Sequence, residues 1–171
     1  MPIIKEAKLK HAGLLSKISK TTFLTPHGHS APKEDIDNYL EQNFSKQNFI
    51  DELSNKTNQY YLINVDDKIA GYSKIIFNKP QSTITSKNVT YLSRLYLLKD
   101  FYGLGLGRIL FDFNKNLCKQ NNQVGIWLYV WIKNDNAISF YKKMGFQKIG
   151  NAEFKISETH SNPNHILYLK F

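Results

Sequence analysis

The stretch Tyr102 to Arg108, YGLGLGR, constrains the fold more than any other part of this chain. A β-branched and aromatic run, Val89 to Leu97, precedes it, and Leu106, Ile109, Leu110, Phe113 and Leu117 follow at the spacing of one helix face. A chain that passes from strand to glycine-rich turn to helix packs that helix against the sheet it has just left. Glycines at alternate positions let a ligand approach the backbone, and the first amides of a helix have no intrahelical acceptor. With the positive end of the helix dipole they form a place for an anion such as a pyrophosphate, and Arg108 can neutralise a further charge. Neither common nucleotide fingerprint fits. Counting from Gly105, a Rossmann loop needs glycine where Arg108 stands, and the lysine and serine pair of a P-loop is missing. On its own the loop serves close packing as readily as phosphate binding.

The rest of the chain predicts an α/β layer structure of the α+β kind. Ile3 to Ala7 reads as a strand and Ala12 to Thr22 as a helix with Leu14, Leu15 and Ile18 on one face. Lys33 to Phe44 reads as a second helix, with Pro32 at its start, Glu34 and Asp35 at its positive end, and Ile36, Tyr39 and Leu40 as its apolar stripe. Phe49 to Leu53 is a third helical piece, and Thr25 to Lys33 and Asn78 to Asn88 are loops. Tyr60 to Val65 and Lys68 to Phe77, parted by Asp66 and Asp67, predict a hairpin. Gly125 to Ile132 is a strand, Asn134 to Met144 a helix stopped by Gly145, and Phe146 to Ile149 and His165 to Phe171 two closing strands. The expectation is one domain over residues 1–171, a largely antiparallel sheet of about seven strands flanked by about four helices.

Composition narrows the function classes. With 171 residues, 42% hydrophobic and 13% aromatic, the chain can bury a core, and no run is apolar enough to cross a membrane. No secretory signal is legible near Met1, so a cytoplasmic protein is expected. The net charge of +9 suits an anionic partner, but the lysines are scattered and form no basic stripe for nucleic acid. Cys118, the sole cysteine, excludes an internal disulfide and a multi-thiolate metal site and reads as a core residue. His27 and His29 lack a third ligand at supporting spacing, and His160 and His165 are equally isolated, so no metal is expected.

A second motif follows the glycine loop: Asn134 to Phe146, NDNAISFYKKMGF, an asparagine-capped helix carrying Phe140 and Tyr141 and closed by glycine. In this order and spacing the two segments resemble the acetyl-CoA signature of the Gcn5-related N-acetyltransferase (GNAT) superfamily. The likeness covers Tyr60 to the end. Through FLTPHGHSAPKEDIDNYLEQNF and YVWIKNDNAISFYKKMGF the chain also resembles the bacterial PaiA-type spermidine and spermine acetyltransferases. The resemblance implies acetyl-CoA as cosubstrate, its pyrophosphate held by Tyr102, Gly103, Leu104, Gly105, Leu106, Gly107 and Arg108. Tyr102 stands where the family usually has Gln or Arg, which removes one polar contact. Leu95 and Leu97 would offer backbone groups to the pantetheine arm, from a strand that splays from its neighbour after Leu97, and Asn134 would hold the same arm. Asn136 reads as a helix-start residue.

By the same resemblance Tyr141 is the catalytic acid that protonates the departing thiolate, and Phe140 is core. Transfer is direct, because neither Cys118 nor any serine sits in an evident nucleophile arrangement. An acceptor alkylammonium must first lose a proton, at a cost of about 4 kcal/mol at neutral pH. Relatives often place a glutamate on the strand that here reads TYLSRLYLL, and Ser93 stands there instead; Tyr91, Ser93 or Tyr96 can relay through water or serve the strand alone. Glu34, Asp35, Asp37 and Glu41 form a carboxylate cluster in the acceptor region of this fold, which either attracts a polycation or is a solvated helix face. The expected acceptor is a small primary amine of the polyamine class. A protein or peptide amine, and a non-catalytic acyl-CoA-sensing or nucleic-acid-binding module, are the alternatives. Monomer and homodimer both stay open.

Overall fold

The computed structural model describes residues 1–171. Its strands are β1 (Ile3–Glu6), β2 (Gln59–Val65), β3 (Lys68–Ile76), β4 (Thr90–Leu97), β5 (Gly125–Trp131), β6 (Gln147–Lys155) and β7 (Ser161–Lys170). They form one sheet in the order β1-β2-β3-β4-β5-β7-β6, antiparallel throughout except between β4 and β5. The helices are α1 (Ala12–His27), α2 (Lys33–Phe44), α3 (Lys46–Ser54), α4 (Leu106–Gln120) and α5 (Asp135–Lys143). Apolar side chains on alternating faces of the strands create two cores. On one face α1, α2 and α3 bury Leu15, Ile36 and Phe49 against Tyr60, Leu62 and Tyr72. On the other, α4 and α5 bury Leu110, Phe111 and Tyr141 against Ile75, Leu92 and Ile126.

Local chemistry explains most boundaries. Asp66 (φ 47°) and Asp67 (φ 63°) both adopt the left-handed conformation that a two-residue hairpin turn demands. Ser45 ends α2 in an extended conformation and starts α3: its Oγ accepts from the Asn48 amide at 3.1 Å, and Asn48 Oδ1 accepts from the Ser45 amide at 3.0 Å.

Several element boundaries and faces depart from the sequence expectation. The first helix runs past Thr22 to His27, through Pro26. Proline in a last turn forfeits one bond, and the extension brings His27 onto Phe23 at 4.7 Å. The third helix starts at Lys46 because of the Ser45 cap. The buried face of α4 is Leu106, Leu110, Phe111, Asn114 and Cys118, while Ile109 is 40% exposed. Asn114 hides that face in the sequence; it is fully buried because its amide donates to Ser73 Oγ at 2.9 Å and Leu110 O at 2.9 Å. Finally, β6 and β7 are longer than their apolar segments: β6 is an edge strand, where polar residues such as Asn151 are tolerated, and β7 pairs along its length with both β5 and β6, burying Asn162.

Candidate active site

The sheet opens at its centre. Strands β4 and β5 share only the pairs Thr90 with Ile126 and Tyr91 with Trp127. Immediately beyond, Lys74 of β3 faces Arg94 while Ile75 faces Leu92, so Ser93 is the extra residue of a bulge. The bulge bends β4 away, and the gap begins after Tyr91, earlier than the expected point after Leu97. The Leu98 amide donates to Ala70 O at 2.8 Å, and alternation along the strand then turns the backbone groups of Leu95 and Leu97 toward the gap. Gly71 holds β3 tight against this part of β4: a Cβ there would collide with the Tyr96 carbonyl oxygen and lie 2.9 Å from Leu97 Cα.

At the end of β4 the glycine loop presents a row of free donors. Tyr102 N donates to Lys99 O at 3.1 Å and Ile109 N to Gly105 O at 3.2 Å, and the amides between them, Gly103 to Arg108, donate to no other backbone group. Gly103 (φ 78°) and Gly105 (φ 73°) are left-handed, and nothing lies within 4 Å of where either would carry a Cβ. Leu106 is buried and anchors the turn, whereas Tyr102 and Leu104 are exposed. Arg108 is exposed, its Nε 3.5 Å from Asp112 Oδ2. Such a cradle, open to solvent and at a helix N-terminus, fits a pyrophosphate. Gly107 lies against Phe140 of α5 and Leu97 of β4, which brings loop, strand and α5 together.

On α5, Tyr141 is 8% exposed and packs between Phe140 (5.2 Å) and Phe146 (5.3 Å). Burial pushes its phenol above the ordinary range. Asn134 caps α5, its Oδ1 accepting from the Ala137 amide at 3.2 Å, and Asn136 lies exposed in the first turn.

A sequence profile described as "Acetyltransferase (GNAT) family" matches residues 20–146. The chain belongs to that family. It is an acetyl-CoA-dependent N-acetyltransferase. Among curated relatives it is 29% identical over 141 residues to an uncharacterised N-acetyltransferase of Lactobacillus delbrueckii, covering 82% of each chain. It is 26% identical over 148 residues to an uncharacterised N-acetyltransferase of Mycobacterium tuberculosis, covering 86% of this chain and 90% of that one. The fold matches the PaiA N-acetyltransferase of Thermoplasma acidophilum, solved with coenzyme A, at a TM-score of 0.80 and 17% identity, covering 100% of this chain and 99% of the other. A GCN5-related N-acetyltransferase of Rhodopseudomonas palustris gives 0.77 and 14%, covering 100% and 96%.

In this acetyltransferase the face of the sheet away from α4 carries the other half of the gap. His27 closes α1 with its ring 5.5 Å from Trp131, and burial lowers its pKa to about 4. The α1–α2 and β6–β7 connections meet there, His160 Nε2 lying 2.8 Å from Ser30 O. Tyr39 stacks on Phe23 at 5.0 Å, and burial pushes its phenol up to about 12. Burial also raises the Tyr96 phenol, helped by the neighbouring Tyr72, Tyr39 and, from the α5 side, Tyr141. Ser93 and Tyr91 are half-buried beside the opening. Of the α2 carboxylates, Glu34, Asp37 and Glu41 are exposed and Asp35 half-buried; Asp37 pairs with Lys33, and Glu41 Oε2 lies 2.9 Å from Lys20 Nζ.

Sequence reasoning missed a buried ionic network below this face. Glu52 Oε2 lies 2.8 Å from Lys74 Nζ and Oε1 3.6 Å from Arg94, whose Nη1 donates to the Tyr60 hydroxyl at 2.7 Å. Tyr60 donates in turn to Glu52. Burial works to raise the Glu52 pKa, but Arg94 and Lys74 outweigh it and hold the carboxyl below its ordinary value. The one trace in the sequence is the consecutive polar pair Ser93-Arg94 inside an apolar run, which breaks the strand alternation without naming the partner strand or the buried carboxylate.

Proposed function

We propose that this enzyme acetylates a small primary amine of the polyamine class, such as spermidine or spermine. The observation that carries the reading is the meeting of the α1–α2 and β6–β7 connections at Ser30 and His160. That contact closes the end of the acceptor side, which suits a compact amine better than an extended peptide. The carboxylates Glu34, Asp35 and Asp37 on the adjacent α2 supply a local negative field that steers a polycation despite the net charge of +9.

In this reading the amides of Gly103 to Arg108 take the pyrophosphate of acetyl-CoA, and the backbone of Leu95 and Leu97, with Asn134, takes the pantetheine arm. The thioester then lies in the gap beside Tyr141. The acceptor reaches it from the α1 face and gives its proton to water, and its neutral nitrogen attacks the thioester carbonyl carbon. As the tetrahedral intermediate collapses the C–S bond breaks, the Tyr141 hydroxyl protonates the sulfur, and the second proton lost by the attacking nitrogen returns through solvent to restore the Tyr141 hydroxyl.

Coenzyme A release measured across polyamines, lysine peptides and aminoglycosides tests the acceptor. Spermidine is expected to exceed peptides at equal concentration, and the joint variant Glu34→Gln, Asp35→Asn, Asp37→Asn to raise the polyamine KM. Faster peptide turnover, or a variant indistinguishable from the parent, removes the polyamine assignment. For the cosubstrate, Gly105→Val should weaken acetyl-CoA binding in calorimetry by about tenfold or more, since a β-branched residue strains a left-handed position and fills the cradle. An unchanged affinity would mean that the loop serves packing alone.

A further inference from the structure

Strand β5 reads GIWLYVW, and its two faces lead different lives. Ile126, Leu128 and Val130 are buried under α4 and α5. Alternation therefore turns Trp127, Tyr129 and Trp131 to the α1 face. Trp127 stacks on Tyr91 at 4.3 Å and meets Tyr129 edge-on at 5.1 Å, while Trp131 faces His27 at 5.5 Å. This aromatic row starts at the last β4–β5 ladder pair and continues along the lip of the gap. Tyr129 lies where β4 has already parted from β5, pairs only with Ile166 of β7, and is 37% exposed.

We propose that Tyr129 and Trp131 determine acceptor specificity: their rings hold the part of the acceptor remote from the reacting nitrogen, an alkyl chain ending in a second ammonium group. This rests on the polyamine reading above and gives it a contact surface. Tyr141 approaches the gap from the α5 layer, so an amine arriving from the α1 face lies along the row while its nitrogen reaches the thioester. Successive residues on one face of a strand are about 6.8 Å apart, a separation that the chain of a short diamine can span. A cation there finds the negative faces of aromatic rings as its partners. Several nearby carboxylates are already engaged, Asp37 by Lys33, Glu41 by Lys20, and Glu52 by Lys74 and Arg94, while Glu34 and Asp35 at the start of α2 make no ion pair and supply the steering field. His27 adds no opposing charge, because burial keeps its imidazole neutral near pH 7. The α2 carboxylates thus attract the acceptor from a distance, and the row binds it.

The test is calorimetric titration of the coenzyme A-bound protein with putrescine and with butylamine, which has the same chain and lacks the second cation. Tyr129→Leu and Trp131→Leu should each weaken putrescine binding by about three- to thirtyfold and butylamine by about twofold or less, with Tyr129→Phe close to the parent. Unchanged acetyl-CoA affinity in each variant controls for folding. Equal loss for both amines would reduce the row to packing, and no loss, or a parent that binds putrescine no tighter than butylamine, would overturn the proposal. Turnover separates the two ideas. Spermidine acetylation that survives intact in Tyr129→Leu would sink the aromatic row and leave the polyamine reading standing. A parent that binds putrescine through the row yet releases no coenzyme A with any polyamine would do the reverse.

Discussion

In the mechanism proposed above, Tyr141 is the acid that protonates the departing sulfur. Its ring is fixed between Phe140 and Phe146, and its phenol, raised by burial, stays protonated across the neutral range. Tyr141→Phe keeps the ring and should leave acetyl-CoA affinity intact while lowering kcat, general acid assistance being worth about 10² to 10⁴ in rate. Turnover within about twofold of the parent at saturation, with chemistry shown to limit both, would make it a core aromatic. A different residue controls the opposite wall of the gap. Gly71 has no side chain because Tyr96 and Leu97 occupy the space, so Gly71→Val should push β4 outward. The expected cost is about 1 to 3 kcal/mol in urea unfolding, together with weaker acetyl-CoA binding, since Leu95 and Leu97 move with the strand. The family resemblance of the α5 motif singles out Tyr141 as a candidate, whereas its spacing alone reads as core packing. The need for Gly71 was not legible, because an isolated glycine in a strand announces a close approach without naming the partner.

Elements assert themselves unequally. The Asp66-Asp67 turn was legible because two polar residues between β-branched runs leave few alternatives, yet both aspartates pay a backbone penalty at positive φ. Asp67→Gly should therefore raise stability by up to about 1 kcal/mol, read as a higher urea midpoint with an unchanged slope. The second helix was legible to the residue, Lys33 to Phe44, because Pro32 and its acidic first turn mark its start. Helix α3 was read too short, since the Ser45–Asn48 capping pair lacks the usual acidic partner. Ser45→Ala should cost about 1 kcal/mol. The α4 face was misjudged because a buried asparagine looks like a surface residue until its partners on β3 are known. The early opening of β4 from β5 escaped for a related reason: a bulge is a relation between two strands, and the sequence shows only one at a time. So the glycine loop before α4 and the asparagine cap of α5, built from local turns, were legible. The α1 face of the gap, built from residues as distant as His27 and Trp131, was not.

For the molecule as a whole, the burial that shapes the acceptor side also couples folding to pH. An unfolded histidine titrates near pH 6.5, whereas burial holds His27 at about 4. Between those values the unfolded chain binds a proton that the folded protein refuses, so stability rises with pH in this window. The contribution is fully present above about pH 6.5 and is lost as pH falls toward 4, amounting to at most about 3 kcal/mol. Glu52 acts in a lower window. Its folded pKa lies below the ordinary carboxylate value, so its contribution persists above about pH 4.5 and disappears as acid protonates the carboxyl that holds Lys74 and Arg94. The two are separable by substitution. His27→Phe retains a ring against Phe23 and Trp131 but has no proton to refuse. Urea midpoints measured at pH 7, 5.5 and 4.5 should fall for the parent and stay nearly level for the variant, the difference between them widening steadily toward acid. Parallel curves would show that His27 accepts its proton in the folded state as readily as in the unfolded one, and the acceptor side would then carry a cation at its mouth below about pH 6.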